Sequence, residues 1–302
     1  MSEAADDAKP RRQVVVRKPE PADDLTWQVG EVSIARCLET VAEMSPRYLL
    51  PDLSHELVAW LPEWAAPFFT PDGMMLLSVH SFVVQSGELT VVVDTCIGDH
   101  SDHSLAGDAG FVDRLAAAIP GGLEAVDFVV CTHMHFDHVG WNTRFADGMW
   151  VPTFPNARYL VSKDELDGTQ ANDLMGVMAP SITPLIERGM LDAVESDHRI
   201  DENVCLVPSA GHSPGHVCVM IESSGERALI TGDSFHSPAQ FAYPEVSATY
   251  ADTDSAAATA TRHRLLEQLI DADTIVLGTH FSRPTAGRVR SGSERAWFDT
   301  TI

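Results

Sequence analysis

Basic residues are scarce in this sequence. Its 302 residues include 20 lysines and arginines against 44 aspartates and glutamates, which gives a formal net charge of -24. Proteins that bind phosphate backbones or anionic lipid surfaces need clustered lysine and arginine. We therefore expect no nucleic-acid partner and no membrane partner, and we expect a small molecule as the substrate.

Long apolar runs and paired cysteines are also missing. No stretch approaches the roughly 20 apolar residues that cross a bilayer, and the first residues lack the apolar core of a secretion signal. Residues 1–25 are rich in charge, alanine and proline, which is typical of a disordered tail. The five cysteines are odd in number, and none has Cys-x-x-Cys spacing. This usage favours a reduced, cytoplasmic protein.

What the sequence does contain is a dense group of metal-ligating side chains. The apolar, β-branched run 125–131 predicts a buried strand. His133, His135, Asp137 and His138 follow its end within six residues. Imidazole suits a borderline metal such as zinc, and a carboxylate adds a harder ligand. Because side chains alternate in extended backbone, the first two histidines point the same way. The stretch therefore offers ligands for two neighbouring metals.

Three further ligand candidates follow later in the chain, each after an apolar run. They are His212 in Gly-His-Ser-Pro-Gly-His, Asp233 in Thr-Gly-Asp-Ser, and His280 in Gly-Thr-His. Together with the earlier His-x-His-x-Asp-His, these motifs resemble the signature of the metallo-β-lactamase fold superfamily, in its expected order. One such motif is moderately specific, whereas four in order make a strong signal.

The resemblance implies an α/β fold, a four-layer αβ/βα sandwich with its ligands at one edge between two sheets. It also implies two metal ions that share one carboxylate. The ligands are His133, His135 and His212 for the first metal, Asp137, His138 and His280 for the second, and Asp233 for both. Two cations roughly 3.5–4 Å apart would share a hydroxide. The two aspartates are the candidates for proton transfer. Zinc is favoured, with iron and manganese open.

Two other residues are candidates for supporting roles. Asp94 follows the apolar run 89–93, where the superfamily carries an aspartate that orients metal ligands; a turn aspartate that caps backbone amides is the alternative. His236 comes three residues after Asp233. It either donates a hydrogen bond to the oxyanion of the substrate or is an ordinary histidine on the rim.

The remaining sequence predicts one domain. We expect residues 26–302 to form it, with a helical or loop segment inserted at about 37–73. Apolar residues recur there every three or four positions, which predicts a helix. Its aromatic residues would pack on the core or line a substrate pocket. The resemblance also suggests a homodimer, for which this segment is a candidate contact.

From His212 onward the motifs are most similar to methyl parathion hydrolase and its lactonase- and esterase-like relatives. The likeness implies a dinuclear hydrolase that activates a bridging hydroxide to cleave a small, fairly apolar ester, lactone or phosphotriester. Quorum-signal lactonases carry a tyrosine shortly after the bridging aspartate, whereas Phe235 and His236 lie here. The alternatives that share the motif are a thioesterase similar to glyoxalase II and a mononuclear iron enzyme similar to the sulfur dioxygenases.

Overall fold

Two large β-sheets pack face to face, and helices cover their outer faces. This computed structural model describes residues 14–17, 25–54, 57–58, 61, 63–99 and 107–302. The arrangement is the four-layer αβ/βα sandwich that the sequence predicts. Among the described residues, no helix has the length and apolar character that crossing a membrane would require.

The first half of the chain forms the first sheet. The strands in this half of the chain are, in order, β1 (Val15–Arg17), β2 (Leu25–Val29), β3 (Val32–Met44), β4 (Met75–Ser86), β5 (Leu89–Val93), β6 (Phe128–Val130), β7 (Thr143–Ala146), β8 (Met149–Pro152), β9 (Arg158–Ser162) and β10 (Leu191–Val194); all except β7 and β8 belong to the first sheet. The order across the sheet is β1-β3-β4-β5-β6-β9-β10, with β2 paired to β3, while β7 and β8 pair with each other. From β5 to β10 the neighbouring strands run parallel. Parallel strands are normally covered on both faces, which fits their continuous valine-rich runs.

The second half forms the second sheet. Its strands are β11 (Val204–Pro208), β12 (Val217–Ser223), β13 (Glu226–Ile230), β14 (Thr274–Leu277), β15 (Ala286–Arg290) and β16 (Trp297–Asp299). They lie in chain order across the sheet. Only the β13–β14 pair is parallel among the described strands of this sheet. The antiparallel β15–β16 pair forms one edge of the sheet.

Most of the helices are short. They are α1 (Pro46–Leu49), α2 (Phe111–Ala118), α3 (Phe136–Val139), α4 (Lys163–Ala171), α5 (Thr183–Glu187), α6 (Ala239–Ala242) and α7 (Ser255–Leu269). The longest, α7, begins after Asp254, whose carboxylate accepts hydrogen bonds from the amides of Ala256 and Ala257. Leu265, Leu266 and Leu269 lie on its buried face, and they join the apolar cluster on the outer side of the second sheet.

A separate apolar core fills the space between the two sheets. Phe82, Val91 and Val130 enter it from the first sheet. Val219 and Ile230 enter it from the second, and all five side chains are fully buried. Burial of this kind contributes about 25 cal/mol per Å² of apolar surface removed from water. The core therefore fixes the two sheets relative to each other and sets the edge at which the ligand loops meet.

The boundary predictions for the N-terminal region are wrong in two places. Val15–Arg17, assigned to the disordered tail, form β1 and pair with residues 41–43 of β3. Residues 1–13 and 18–24 lie outside the described residues. The insertion predicted at about 37–73 begins later, because Cys37 to Met44 belong to β3. Residues 36–40 are buried without interruption and include the polar Glu39 and Thr40, so the sequence there lacks the alternation that marks a half-exposed strand.

The inserted segment also differs from the predicted regular helix. It contains α1 and a 3-10 helix at Glu63–Phe68, which has Pro67 inside it. Proline lacks a backbone donor, which shortens regular helices. Phe68 is buried and packs against Phe281 and Phe298. The 3-10 helix therefore contributes a side chain to the apolar core. The other helix of the segment, α1, contributes Tyr48 and Leu49 to the cavity described below. Trp60, part of the predicted aromatic cluster, lies outside the described residues.

Candidate metal centre

The predicted ligands lie in loops at one edge of the sandwich. Since β5 and β6 run parallel, and β13 and β14 do too, the loops after each pair leave from the same end. Backbone hydrogen bonds then join the two sheets at this edge. The Val217 amide donates to the Thr132 carbonyl at 2.9 Å, and the Ser78 amide donates to the His280 carbonyl at 3.0 Å. Residues far apart in the sequence are thus brought to one place.

The structure brings all seven predicted ligands together in two groups. The first group is His133, His135, His212 and Asp233, and the second is Asp137, His138 and His280. Within each group the candidate ligand atoms lie within 4.8 Å of one another. The local backbone explains how one short motif serves both groups. His135 is still extended, whereas Asp137 and His138 lie in the single turn of α3 and face elsewhere.

The Asp233 carboxylate faces both groups at once. Its Oδ2 lies 3.4 Å from Nε2 of His212 and 3.8 Å from Nε2 of His133. Its Oδ1 lies 3.1 Å from Nε2 of His280 and 3.3 Å from Nε2 of His138. One oxygen therefore points to each group, which is the geometry that a carboxylate shared between two cations requires.

The hydrogen bonds at Nδ1 of the histidines show which ring nitrogen is free to bind a cation. The Nδ1–H of His138 donates to Asp94 at 2.8 Å, and the Nδ1–H of His280 donates to the Ser78 carbonyl at 2.8 Å. When neutral, both rings therefore carry their lone pair on Nε2. Those two Nε2 atoms face each other at 3.3 Å. Two lone pairs at this distance repel unless a proton or a cation lies between them, so the donor set fits a cation.

In the first group the tautomer of one histidine is fixed in the same way. The Nδ1–H of His212 donates to Asp252 at 2.9 Å, which leaves a lone pair on Nε2, and this atom faces Nδ1 of His135 at 3.0 Å. Nε2 of His133 and Oδ1 of Asp233 are buried and have no hydrogen-bond partner among the described residues. Buried polar atoms are almost always satisfied. These atoms are therefore arranged for a ligand that binds electron pairs.

Burial and neighbouring charges set the protonation of the centre. Burial lowers the pKa of His212 well below its usual value and that of His135 to about 3, with nearby imidazoles acting in the same direction. Burial also opposes protonation of His138 and His280, but Asp233 raises the pKa of both. Although burial alone would raise the pKa of Asp233, the surrounding imidazoles hold it well below its usual range. Ionised carboxylate and neutral imidazole are the forms that bind metals.

Asp94 lies directly behind the second group. Its Oδ2 accepts the Nδ1–H of His138 and the Thr132 hydroxyl, each at 2.8 Å, and its Oδ1 accepts the Thr132 amide at 2.8 Å. Asp94 is buried and has a φ of 57°, a left-handed conformation in which aspartate is among the tolerated residues. It is well placed for the orienting role that the resemblance implies, because it fixes both the tautomer of His138 and the backbone before His133.

Asp252 is a supporting residue that the sequence analysis missed. It accepts the Nδ1–H of His212, as Asp94 does for His138, and its second oxygen accepts the Ala248 amide at 3.1 Å. The guanidinium of Arg262 lies 4.0 Å behind it and is fully buried. Asp252 precedes α7 in an acidic stretch, and it follows His212 by forty residues. The acidic stretch was visible in the sequence, but nothing local pointed to its partner.

His216 supports the centre through the backbone and is not in either ligand group. Its Nε2 accepts the Asp233 amide at 2.8 Å, and its Nδ1 contacts the Ser209 hydroxyl at 2.7 Å. Gly232 allows this approach, since its φ is 50° and a Cβ there would lie 2.5 Å from His216 Nε2. Only glycine adopts this conformation at so close a contact. The turn before Asp233 is therefore fixed by a glycine and a histidine together.

A cavity of about 170 Å³ lies against the two ligand groups. His236 lines it, with Nε2 3.2 Å from Oδ2 of Asp233, and neither of its ring nitrogens has a hydrogen-bond partner among the described residues. The other walls are mainly apolar and come from separate parts of the chain. They include Met44, Tyr48, Leu49, Leu77, Phe136 and Met175. No lysine or arginine is among the described residues that line the cavity.

Comparison with protein families now gives the class of this protein. Residues 74–280, more than half of the chain, match the family profile described as the metallo-beta-lactamase superfamily. The chain belongs to this superfamily. Within it the chain is a metal-dependent hydrolase, since its relatives include lactonases and metallo-hydrolases and its seven candidate ligands form two groups.

Two curated relatives illustrate the likeness. The chain is 24% identical over 229 residues to an N-acyl homoserine lactonase of Bacillus cereus, covering 70% of this chain and 84% of the relative. It is 26% identical over 181 residues to the probable metallo-hydrolase YybB of Bacillus subtilis (strain 168), covering 59% of this chain and 71% of the relative.

Two solved structures share the fold over nearly their whole length. The hydrolase AbOPH of the beta lactamase superfamily matches with a TM-score of 0.77 at 25% identity, covering 93% of this chain and 98% of that one. The dizinc quorum-quenching lactonase AidC, solved with a product, matches with a TM-score of 0.72 at 20% identity, covering 91% and 96%. The sandwich assignment is therefore supported by the comparison of whole folds.

Proposed function

We propose that this chain is a two-metal hydrolase that opens lactones or cleaves small, uncharged esters. The observation that carries the proposal is the pair of ligand groups joined by Asp233, whose two oxygens face different groups. Lactonases are among the relatives in sequence and in fold. This likeness favours the lactone over the phosphotriester as the first substrate to test.

The walls of the cavity favour a neutral, apolar substrate. Met44, Leu49 and Leu77 line it together with Phe136 and Met175. Apolar walls stabilise a bound hydrocarbon group by about 0.8 kcal/mol per buried methylene. The described lining contains no lysine or arginine to pair with a carboxylate or phosphate. A short acyl chain on a lactone or ester fits this chemistry, whereas an anionic substrate would lack a partner.

In the proposed reaction the chain holds the reacting groups and handles protons. When two divalent cations are bound, they supply a water of lowered pKa and polarise the substrate oxygen. Asp233 and Asp137 face the space between the groups, since Asp137 lies 3.6 Å from His280 and 3.8 Å from His138. Either carboxylate can accept a proton from the nucleophile and return it to the leaving alkoxide. Zinc is the metal we propose from the imidazole and carboxylate donors.

His236 is proposed to donate a hydrogen bond to the substrate oxygen. It lines the cavity and stacks at 5.8 Å on the ring of His280, and its own amide is held by Gln240 at 2.7 Å. Its ring nitrogens are buried and unpaired within the part of the chain that the structure describes. A donor fixed in this way strengthens as negative charge develops on the substrate.

Two other reactions use similar metal motifs. A thioesterase similar to glyoxalase II would bind an anionic glutathione ester, which the lining of the described cavity does not favour. An iron enzyme similar to the sulfur dioxygenases would use one metal, whereas two ligand groups are formed here. None of the five cysteines forms a disulfide in the described part of the chain, which supports the proposal of a reducing, cytoplasmic location. A homodimer also stays a proposal.

A matched substrate panel tests the function. Acyl-homoserine lactones, p-nitrophenyl esters, a phosphotriester and a glutathione thioester would be assayed with the enzyme as purified, after chelation, and after metal is restored. We expect lactones or esters to be cleaved fastest, with activity lost on chelation and recovered on adding zinc. Preference for the glutathione thioester, or hydrolysis that survives complete metal removal, would contradict the proposal.

A further inference from the structure

Glu165 lies outside both ligand groups but connects the loops that carry the first of them. It is in the first turn of α4, whose N-cap Ser162 accepts the Glu165 amide at 3.2 Å. In a capping box the glutamate side chain would turn back to the amide of the N-cap residue. Here one carboxylate oxygen accepts the Met134 amide at 2.8 Å and the other accepts the Gly215 amide at 2.9 Å.

These two amides belong to the two loops of the first group. Met134 separates His133 from His135, and Gly215 follows His212 by three residues. The Gly215 carbonyl also accepts a hydrogen bond from the hydroxyl of Ser162. Both the amide and the carbonyl of Gly215 are therefore hydrogen-bonded to α4 or its N-cap. A Cβ on Gly215 would lie 2.1 Å from the Glu165 amide, which explains why the loop has glycine at this point.

The second group has different supports. His138 is held by Asp94 and His280 by the Ser78 carbonyl, and neither contact includes Glu165. The Glu165 side chain is 2% exposed. A buried carboxylate that accepts two backbone amides makes charge-assisted hydrogen bonds, which are about twice as strong as neutral ones. Glu165 therefore constrains the loops of the first ligand group and makes no contact with the supports of the second.

We propose that Glu165 is a positioning residue that fixes the spacing of the two loops and so sets the affinity of the first metal. The proposal rests on the proposed two-metal site, but it does not depend on which substrate is cleaved. If Glu165 holds the loops before a metal binds, both amides will be protected from hydrogen exchange in the metal-free protein. Loss of one acceptor will release one loop and weaken the first metal more than the second.

The test compares wild type with Glu165→Gln in the full chain. Glutamine has the same size, but its amide nitrogen would direct a donor at Met134 or Gly215. The matched control is Asp164→Asn, an exposed residue in the same helical turn, which removes the same charge and leaves both loops untouched. Zinc binding would be titrated against a competing chelator. Asp252→Asn and Asp94→Asn provide references for a weakened first and second group, respectively.

For Glu165→Gln we expect the dissociation constant of the first metal to rise about 10- to 100-fold, as for other residues that orient ligands, and that of the second to change less than about 3-fold. In the metal-free protein, exchange at the Met134 or Gly215 amide should become at least about 10-fold faster. Equal weakening of both metals, or unchanged exchange at both amides, would overturn the proposal.

The wild-type protein provides a second measurement that does not require the variant to fold. In its metal-free form we expect the Met134 and Gly215 amides to exchange as slowly as amides of β6 and β12. Exchange as fast as in exposed loops would overturn the proposal. No substrate is used in either experiment, so a failure to find lactone hydrolysis would leave both results interpretable.

Discussion

The metal centre and the apolar walls of the cavity are built in different ways. Three histidine ligands of the centre are held by directional contacts: His138 by Asp94, His212 by Asp252 and His280 by the Ser78 carbonyl. The walls come from separate segments and include methionines, which pack adaptably. Hydrogen bonds fix atoms to a few tenths of an ångström, whereas apolar packing tolerates changes of shape. The rigid metal centre therefore determines the type of reaction, and the adaptable cavity walls determine which substrate binds.

The largest effect will come from the residue that joins the two ligand groups. Replacing Asp233 by alanine removes both oxygens that face the groups. We expect kcat/KM to fall by at least roughly 1,000-fold, the upper end of what one directional group contributes to a site, and bound metal to fall below two per chain. Steady-state kinetics and elemental analysis measure both, with exposed Asp197→Ala as the control. Full activity in Asp233→Ala would refute the assigned centre.

Variants of the two supporting carboxylates should weaken the binding of different metals. Asp252→Asn weakens the support of His212. Asp94→Asn weakens that of His138 and, through Thr132, also the backbone before His133. Each should lower the affinity of its own metal by about 10- to 100-fold, and more than it lowers that of the other metal. Titration with a competing chelator would show which metal is lost first in each variant. The expected order is opposite in the two variants. The same order in both would mean that the groups do not behave as independent sites.

A smaller effect is expected at His236, which lies between the centre and the walls. Phenylalanine keeps the ring and its stacking but removes the hydrogen-bond donor. We expect kcat to fall about tenfold with little change in KM, because the donor acts on developing charge, while two metals stay bound. His236→Gln, which retains a donor, should recover part of kcat. Loss of a metal from His236→Phe would instead identify His236 as a ligand.

The smallest effect belongs to the walls. Met175 lines both the cavity at the centre and a neighbouring one of 330 Å³. Met175→Ala should join these spaces and shift preference towards longer acyl chains, by about fourfold per added methylene at most. Relative kcat/KM across a series of acyl chain lengths would measure the shift, with metal content as the control. A uniform fall for all chain lengths would show that Met175 supports the centre instead.

The metal ligands could be predicted from the sequence, whereas the residues that support them could not. His133, His135 and Asp137 form a local pattern after an apolar strand, so their chemistry was readable without a fold. Asp252 and Glu165 act on partners 31 to 50 residues away, and neither has a local signature of that role. Glu165 follows Ser162 by three residues, a spacing that predicts a helix cap and says nothing of contacts with distant loops.

The elements around the cavity were harder to predict for a related reason. Residues 37 to 44 are strand, but continuous burial over residues 36–40, which include Glu39 and Thr40, removes the apolar-polar alternation that would have identified it. Met44, which lines the cavity, comes from this misassigned strand, and Leu49 comes from α1 just after it. Apolar side chains that line a pocket have the same composition as those that fill a core. Only the packed fold distinguishes them.

Metal stoichiometry measured together with lactone hydrolysis tests the central claim most directly. Purified protein would be stripped with chelator, titrated with zinc and assayed on an acyl-homoserine lactone at each step. We predict that activity returns only as binding proceeds to two metals per chain, and that it does not return in Asp233→Ala. Hydrolysis by the fully metal-free protein, or saturation of binding at one metal with full activity, would contradict the account.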